Sequence, residues 1–256
     1  MNLSIISFFI IGTIFGSFYN VVAYRITKGE SIVFPPSSCP NCKHKLTPWE
    51  LIPIFSFIIQ GGKCRNCKNK MSLFYPLSEC MCGILFALSY LSFGFSYELI
   101  IALTFVSVLD IVILSDYYYM IIEDCVLIFF GVLLLIEVFF INGFDALITS
   151  LIGGLISFLI MFAIKLLGDF IFKRESMGGG DIKLMIIIGF IIGYEMAAFS
   201  IFLASLLALP ICLFTIKSKK NHEIPFGPFL SFASIIIYLL NININQIFDF
   251  VRGIIL

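Results

Sequence analysis

The chain has 256 residues, 60% of them hydrophobic and only 12% charged, with 16 basic and 16 acidic side chains in balance. Ordinary soluble domains carry about 25% charged residues, so this composition excludes a soluble globular protein and places the chain in a bilayer. Zero net charge excludes nucleic acid as the main partner, because phosphate binding needs a cationic surplus on the binding face.

In chain order, the apolar stretch from Leu3 to Tyr24 is long enough to span a membrane. It lacks the basic n-region and small-residue cleavage site of a signal peptide, so it reads as the first transmembrane helix. From about Arg25 to Phe74 the chain turns polar and rich in Pro and Lys, enough for a small extramembrane domain. Apolar runs at about Tyr75 to Phe93, Tyr97 to Leu114, Met120 to Ile141 and Ala146 to Ile164 each approach the length needed to cross about 30 Å of hydrocarbon. The block from Ile182 to Ile216 is too long for one crossing and is interrupted near Gly193, Tyr194 and Glu195, so it divides into two. A last run from Phe226 to about Phe248 brings the total to eight. The expected fold is an all-α polytopic membrane protein of about eight transmembrane helices, with a small Cys-rich segment between helices 1 and 2. Three domains are expected: 1–24, 25–74 and 75–256.

Lys and Arg placement sets orientation, since cytoplasmic loops collect them. The segment after the first helix holds Arg25, Lys28, Lys43, Lys45, Lys63, Arg65, Lys68 and Lys70. With eight alternating spans, Lys165, Lys173, Arg174, Lys183, Lys217, Lys219 and Lys220 fall on the same side and only Arg252 falls opposite. The Cys-rich segment, the loop from Leu166 to Asp181 and the region of Asp116 are therefore expected in the cytoplasm, and both termini outside.

Two constellations carry chemistry. Cys39-Pro-Asn-Cys42 and Cys64-Arg-Asn-Cys67 are a pair of knuckles whose spacing suits one tetrahedral zinc held by four thiolates. Such a site has no open position, so its role is structural: it folds a segment too small to bury its own core. The alternative is two disulfides or free thiols, which a cytoplasmic location disfavours. Cys80, Cys82, Cys125 and Cys212 lie in or beside apolar segments and read as packing residues. His44 and His222 carry no assigned role.

The second constellation is a set of carboxylates at the membrane edge. Asp116 ends the third span, and Asp181 opens the sixth after Gly178-Gly-Gly180. Acids at such depth are costly and are functional candidates. If the two face one another, repulsion and low dielectric make them share a proton, leaving one base for water and one acid for the carbonyl oxygen. The glycines suit a tight turn or close approach of an extended substrate. The bland alternative makes both acids helix-end residues, solvated or capping. Asp110, deeper in the third span, is a rival partner.

These residues resemble the type IV prepilin peptidase family over nearly the whole chain. The resemblance rests on Gly16-Ser-Phe-Tyr-Asn20 through Arg25, on Cys39 to Cys67 with Pro48-Trp49-Glu50, and on Tyr75-Pro76-Leu77-Ser78-Glu79. It rests further on Gly178-Gly-Gly180-Asp181-Ile-Lys183 and on Ile224-Pro-Phe-Gly-Pro228. In that family the other catalytic aspartate lies eight residues before the Asp of an Ile-Pro-Asp motif; Asp116 and Asp124 have that spacing and Asp110 does not, so the resemblance selects Asp116. Glu123 stands where the family usually has proline, and Ile26-Thr27 replaces the usual Leu-Pro.

The resemblance implies a multi-pass protein of the bacterial inner membrane whose cytoplasmic-side Asp116 and Asp181 cut prepilins and pseudopilins after the glycine that ends a short leader. It also implies N-methylation of the new N-terminus with S-adenosylmethionine, an activity associated with the Cys-rich segment 25–74, with 1–24 as the first transmembrane helix carrying the N-terminal motif and 75–256 as the peptidase domain. Gly178, Gly180, Asp124 and Lys183 are the expected substrate-binding positions. Asn20, Arg25, Glu50 and Glu79 are the expected cofactor positions. Membrane lipid is a further expected partner. One rival is a peptidase alone with a scaffolding zinc segment. Another is a transporter or assembly scaffold, which would place charge near mid-membrane and show repeated halves.

Overall fold

The structure, a computed structural model, describes residues 2–217, 224–246, 249 and 252. Lys219, Lys220, His222 and Phe248 lie outside the described residues. Among those described, the chain is all-helical: α1 (Asn2–Ile26), α2 (Phe55–Ile59), α3 (Phe74–Phe93), α4 (Glu98–Tyr119), α5 (Asp124–Asn142), α6 (Phe144–Phe172), α7 (Gly179–Lys217) and α8 (Gly227–Leu239). Helices are the natural outcome, because hydrocarbon offers no water to satisfy backbone N–H and C=O groups.

Among the described residues six helices, α1 and α3 to α7, are long and apolar enough to cross a membrane. At about 1.5 Å per residue, the 39 residues of α7 would extend about 58 Å, roughly twice the hydrocarbon thickness. Its backbone breaks where the sequence suggests, at Gly193, whose φ of 73° is open to glycine. Two halves of α7, the 13-residue apolar α8 and the other five long helices make eight apolar segments, as expected. The ends differ from the hydropathy boundaries. Helix α6 continues past Ile164 to Phe172, and α8 stops at Leu239, short of Phe248, with Asn241 at φ 50° just beyond. Both differences arise because helix ends are set by local backbone geometry and hydropathy reports only depth.

The chain forms two compact units, Met1–Phe95 and Ser96–Leu256. In the first, α1 packs along α3. The contact is built on small residues: a Cβ at Gly12 would stand 2.7 Å from the Cys82 carbonyl oxygen, and one at Gly16 2.8 Å from Cys82 Cβ. Between membrane helices there is no water to expel, so close backbone approach through glycine does the work that burial does in soluble bundles.

In the second unit α4 is the core helix. It is buried over most of its length, with Phe105, Leu109 and Leu114 fully inaccessible and Ser107, Asp110, Ser115 and Asp116 buried among them. It packs on α5 and α8, and α7 packs on α6 and α8. A Cβ at Gly153 would stand 2.5 Å from the Gly189 carbonyl oxygen, so α6 and α7 meet backbone to backbone there. Because α4 is the innermost helix, its C-terminal turn carries Asp116 inward.

Candidate functional site

Asp116 lies in the last turns of α4, and Asp181 lies in the first turn of α7. Both are more than nine-tenths buried, at 6% and 8% exposure, which removes the reading of two solvated helix ends. The acid with which Asp181 interacts electrostatically is Asp116. Asp110 is fully buried within α4.

The two carboxylates are held differently. Asp116 Oδ2 accepts a hydrogen bond of 3.0 Å from the backbone N–H of Gly227, the first residue of α8. This donor comes from a helix N-terminus, where unpaired N–H groups and the helix dipole favour negative charge. Asp181 Oδ1 is buried with no hydrogen-bond partner among the described residues. The link Met120–Glu123 between α4 and α5 contributes Ile122, which lies against two glycines: a Cβ on Gly180 would stand 2.8 Å from Ile122 Cβ, and one on Gly227 3.1 Å from Ile122 Cδ1. Gly180 therefore serves close packing beside the acid.

Gly178 lies just before α7, with Asp181 Oδ2 3.7 Å from where its Cβ would be. Lys183 Nζ reaches both carboxylate oxygens of Asp124 at 2.7 Å, joining α7 to the start of α5. Both side chains are about half exposed, so the pair is worth about 0–1 kcal/mol.

In the first unit the four cysteines converge as expected. The Sγ atoms of Cys39, Cys42, Cys64 and Cys67 all lie within 4.8 Å of one another, with Cys39–Cys67 and Cys42–Cys64 both at 3.9 Å. Tetrahedral zinc with bonds of about 2.3 Å needs sulfurs about 3.8 Å apart, so the cluster fits such an ion. None of the eight cysteines is in a disulfide.

The two knuckles are near copies. Cys39 N–H bonds to His44 O and Lys43 N–H to Cys39 O; in the second, Cys64 N–H bonds to Asn69 O and Lys68 N–H to Cys64 O. Lys43 and Lys68 adopt the same left-handed turn, at φ 58° and 57°. Each knuckle also serves the other: the Asn41 amide donates to Cys67 Sγ at 3.6 Å and the Asn66 amide to Cys42 Sγ at 3.7 Å. The backbone at Asn69, with Asn41 beside it, holds the Cys67 thiol down at about 6, toward the thiolate that binds metal.

Residues 10–93 match the bacterial peptidase A24 N-terminal domain, and residues 99–213 match the type IV leader peptidase family. A protein of Bacillus subtilis (strain 168) named prepilin leader peptidase/N-methyltransferase is 38% identical over 234 residues, 90% of this chain and 92% of that protein. The chain belongs to the type IV leader peptidase family. Proteins of the same name from Pseudomonas aeruginosa and Neisseria gonorrhoeae are each 28% identical, over 93% and 91% of the chain and 90% and 89% of their own lengths. No solved structure matches.

Within this leader peptidase, the expected cofactor positions all lie in the first unit, engaged with protein groups. The Asn20 amide donates to Ser78 Oγ at 2.8 Å and to Gly16 O at 3.0 Å. Glu79, with Ser17 beside it, accepts from Ile54 N–H at 2.8 Å. Asn20 thus comes together with Ser78, the neighbour of Glu79. Arg25 donates to Ser31 O at 3.0 Å. Glu50 Oε2 accepts from the backbone N–H and the hydroxyl of Thr47, both at 2.9 Å, as a capping box for the short 3-10 turn Pro48–Leu51. Those Thr47 bonds, the backbone one foremost, hold its carboxyl below the usual range. His44, to which the sequence assigns nothing, lies 3.4 Å from Glu50.

Sequence reasoning assigns no role to Gly227, Ile122, Asn41 or Asn66. The asparagines had a signal: they occupy the same place in the two Cys-Pro/Arg-Asn-Cys knuckles. Gly227 lies in the Ile224-Pro-Phe-Gly-Pro228 stretch and Ile122 opens the Ile122-Glu-Asp124 stretch that carry the resemblance, but what each touches could not be read there, since each acts on a partner far away in sequence.

Proposed function

We propose that this leader peptidase is a bifunctional enzyme of the bacterial inner membrane, multi-pass and with its active site facing the cytoplasm. It removes the leader of type IV prepilins or pseudopilins after a glycine and then methylates the new N-terminus. The observation that carries the peptidase reading is the unequal pair of buried acids, Asp116 held by the Gly227 N–H and Asp181 with an oxygen that has no partner among the described residues.

In this reading Asp116 is the carboxylate, its charge favoured by a backbone donor, and Asp181 carries the shared proton. Asp116 takes a proton from water as the oxygen attacks the scissile carbonyl carbon, while Asp181 gives its proton to the carbonyl oxygen. Collapse of the gem-diol breaks the C–N bond; the amine leaves with the proton from Asp116, and Asp181 recovers its own. The substrate is itself an apolar helix in the same bilayer, so its cleavage site comes to the depth of the two acids. Gly178, where a Cβ would meet only the Asp181 carboxylate at 3.7 Å, gives an extended strand close access to the backbone.

The Cys39, Cys42, Cys64 and Cys67 cluster holds a structural zinc with all four positions closed. S-adenosylmethionine supplies the methyl group for the new amine, with Asn20, Arg25, Glu50 and Glu79 as candidate positions around it. A second reading, peptidase alone with a scaffolding zinc segment, is favoured by one observation: each of those four already has a protein partner.

The test uses membranes holding wild type, Asp116→Asn, Asp181→Asn or Asp110→Asn, each checked for expression, given a prepilin and labelled S-adenosylmethionine. Loss of cleavage in the first two variants but not the third is expected. Normal cleavage by either of the first two refutes the dyad, and cleaved but unlabelled product from wild type selects the second reading.

A further inference from the structure

The Cys-rich segment presents an apolar face that its own core does not use. Trp49 is 78% exposed, Ile59 82%, and Phe55 and Ile58 about two-thirds. Trp49, Ile52 and Ile59 share a cavity of about 620 Å³ with three cations, Lys63, Arg65 and Lys68. The one carboxylate lining it, Glu50, already accepts two hydrogen bonds from Thr47. Phe55 and Ile58 carry the apolar surface beyond the cavity along α2.

We propose that this face docks on the bilayer surface, its cavity taking the phosphate headgroup of an anionic phospholipid. The occupant follows from three features. The segment is tethered at both ends by spanning helices, α1 ending at Ile26 and α3 starting at Phe74, so a membrane surface is always beside it. The three cations complement the negative potential of anionic lipid, and Trp suits the interface, where its ring is apolar and its N–H is wet. A small soluble ligand would fill the cavity and leave Phe55 and Ile58 in water, whereas a lipid surface covers cavity and flank together. Docking lays the zinc-binding segment flat on the membrane.

Trp49 is the only tryptophan in the chain, so its fluorescence reads this face alone. Full-length protein is reconstituted in phosphatidylcholine vesicles with or without phosphatidylglycerol, with and without brominated acyl chains. Quenching of Trp49 by the brominated chains, greater with phosphatidylglycerol, is expected, together with poor access for aqueous acrylamide. The combined Lys63→Gln, Arg65→Gln and Lys68→Gln variant, checked for unchanged zinc content, is expected to lose the phosphatidylglycerol-dependent increment. Three outcomes overturn the proposal: no quenching with full acrylamide access, equal quenching with and without phosphatidylglycerol, and shielding that follows protein density instead of lipid charge. The last assigns the face to a second copy of the chain.

Discussion

Replacing Gly227 with alanine tests the dyad through a residue that is neither acid nor base. The backbone there is one that any residue adopts, and the obstacle is steric: the new Cβ would stand 2.6 Å from Asp116 Oδ2 and 3.1 Å from Ile122 Cδ1. Ordinary contact lies near 3.5–4.0 Å, so the carboxylate must move and the 3.0 Å bond from Gly227 N–H is lost or lengthened. A hydrogen bond to a charged group contributes about 1.5–3 kcal/mol. At about 1.36 kcal/mol per factor of ten, kcat is expected to fall about 10- to 150-fold. KM is expected to change little, because the displaced group does chemistry more than binding. The assay is steady-state cleavage of a prepilin in proteoliposomes, with thermal unfolding compared between variant and wild type. Wild-type kcat in Gly227→Ala refutes the claim that Gly227 positions Asp116; unchanged kcat with raised KM moves Gly227 to the substrate site.

Other outcomes follow from the same geometry. Asn41→Ala and Asn66→Ala, which remove matching donors from Cys67 and Cys42, are each expected to weaken metal binding about 10- to 100-fold and to similar extents, as read by chelator competition. Cys39→Ser or stripping with a chelator is expected to unfold the segment around residues 38–70, seen as new protease sensitivity, since the cluster joins its two knuckles. Gly16→Leu forces a side chain where even a Cβ would be 2.8 Å from Cys82 Cβ and 3.1 Å from Glu79 Cα, so a loss of about 1–3 kcal/mol or more is expected in unfolding measurements. Lys183→Gln breaks a half-exposed pair worth about 0–1 kcal/mol, so cleavage is expected to stay within about fivefold of wild type; a larger drop in a variant of normal KM would make Lys183 part of the chemistry.

Much of this protein is legible in the chain itself. Bilayer thickness fixes how long an apolar run must be, so the apolar segments can be read from hydropathy alone, including the break at Gly193. The cysteine knuckles are equally local: the cysteines within each pair are three residues apart, so spacing alone reports the cluster. Asp116 and Asp181 stand out because charge is expensive in a membrane and rare within it.

What the chain could not report is which face of each helix meets which neighbour. Helix surfaces toward lipid and toward protein are both apolar here, so no amphipathic stripe marks the inside. Only the tertiary structure brings Gly227 to Asp116 across 111 residues, sets Asn20 against Ser78 across 58, and leaves Asp181 Oδ1 buried without a partner among the described residues while Asp116 has one. Hydropathy places residues along the membrane normal, and the sideways contacts that distinguish one carboxylate from the other arise when close-packed glycines fix how the helices turn toward each other.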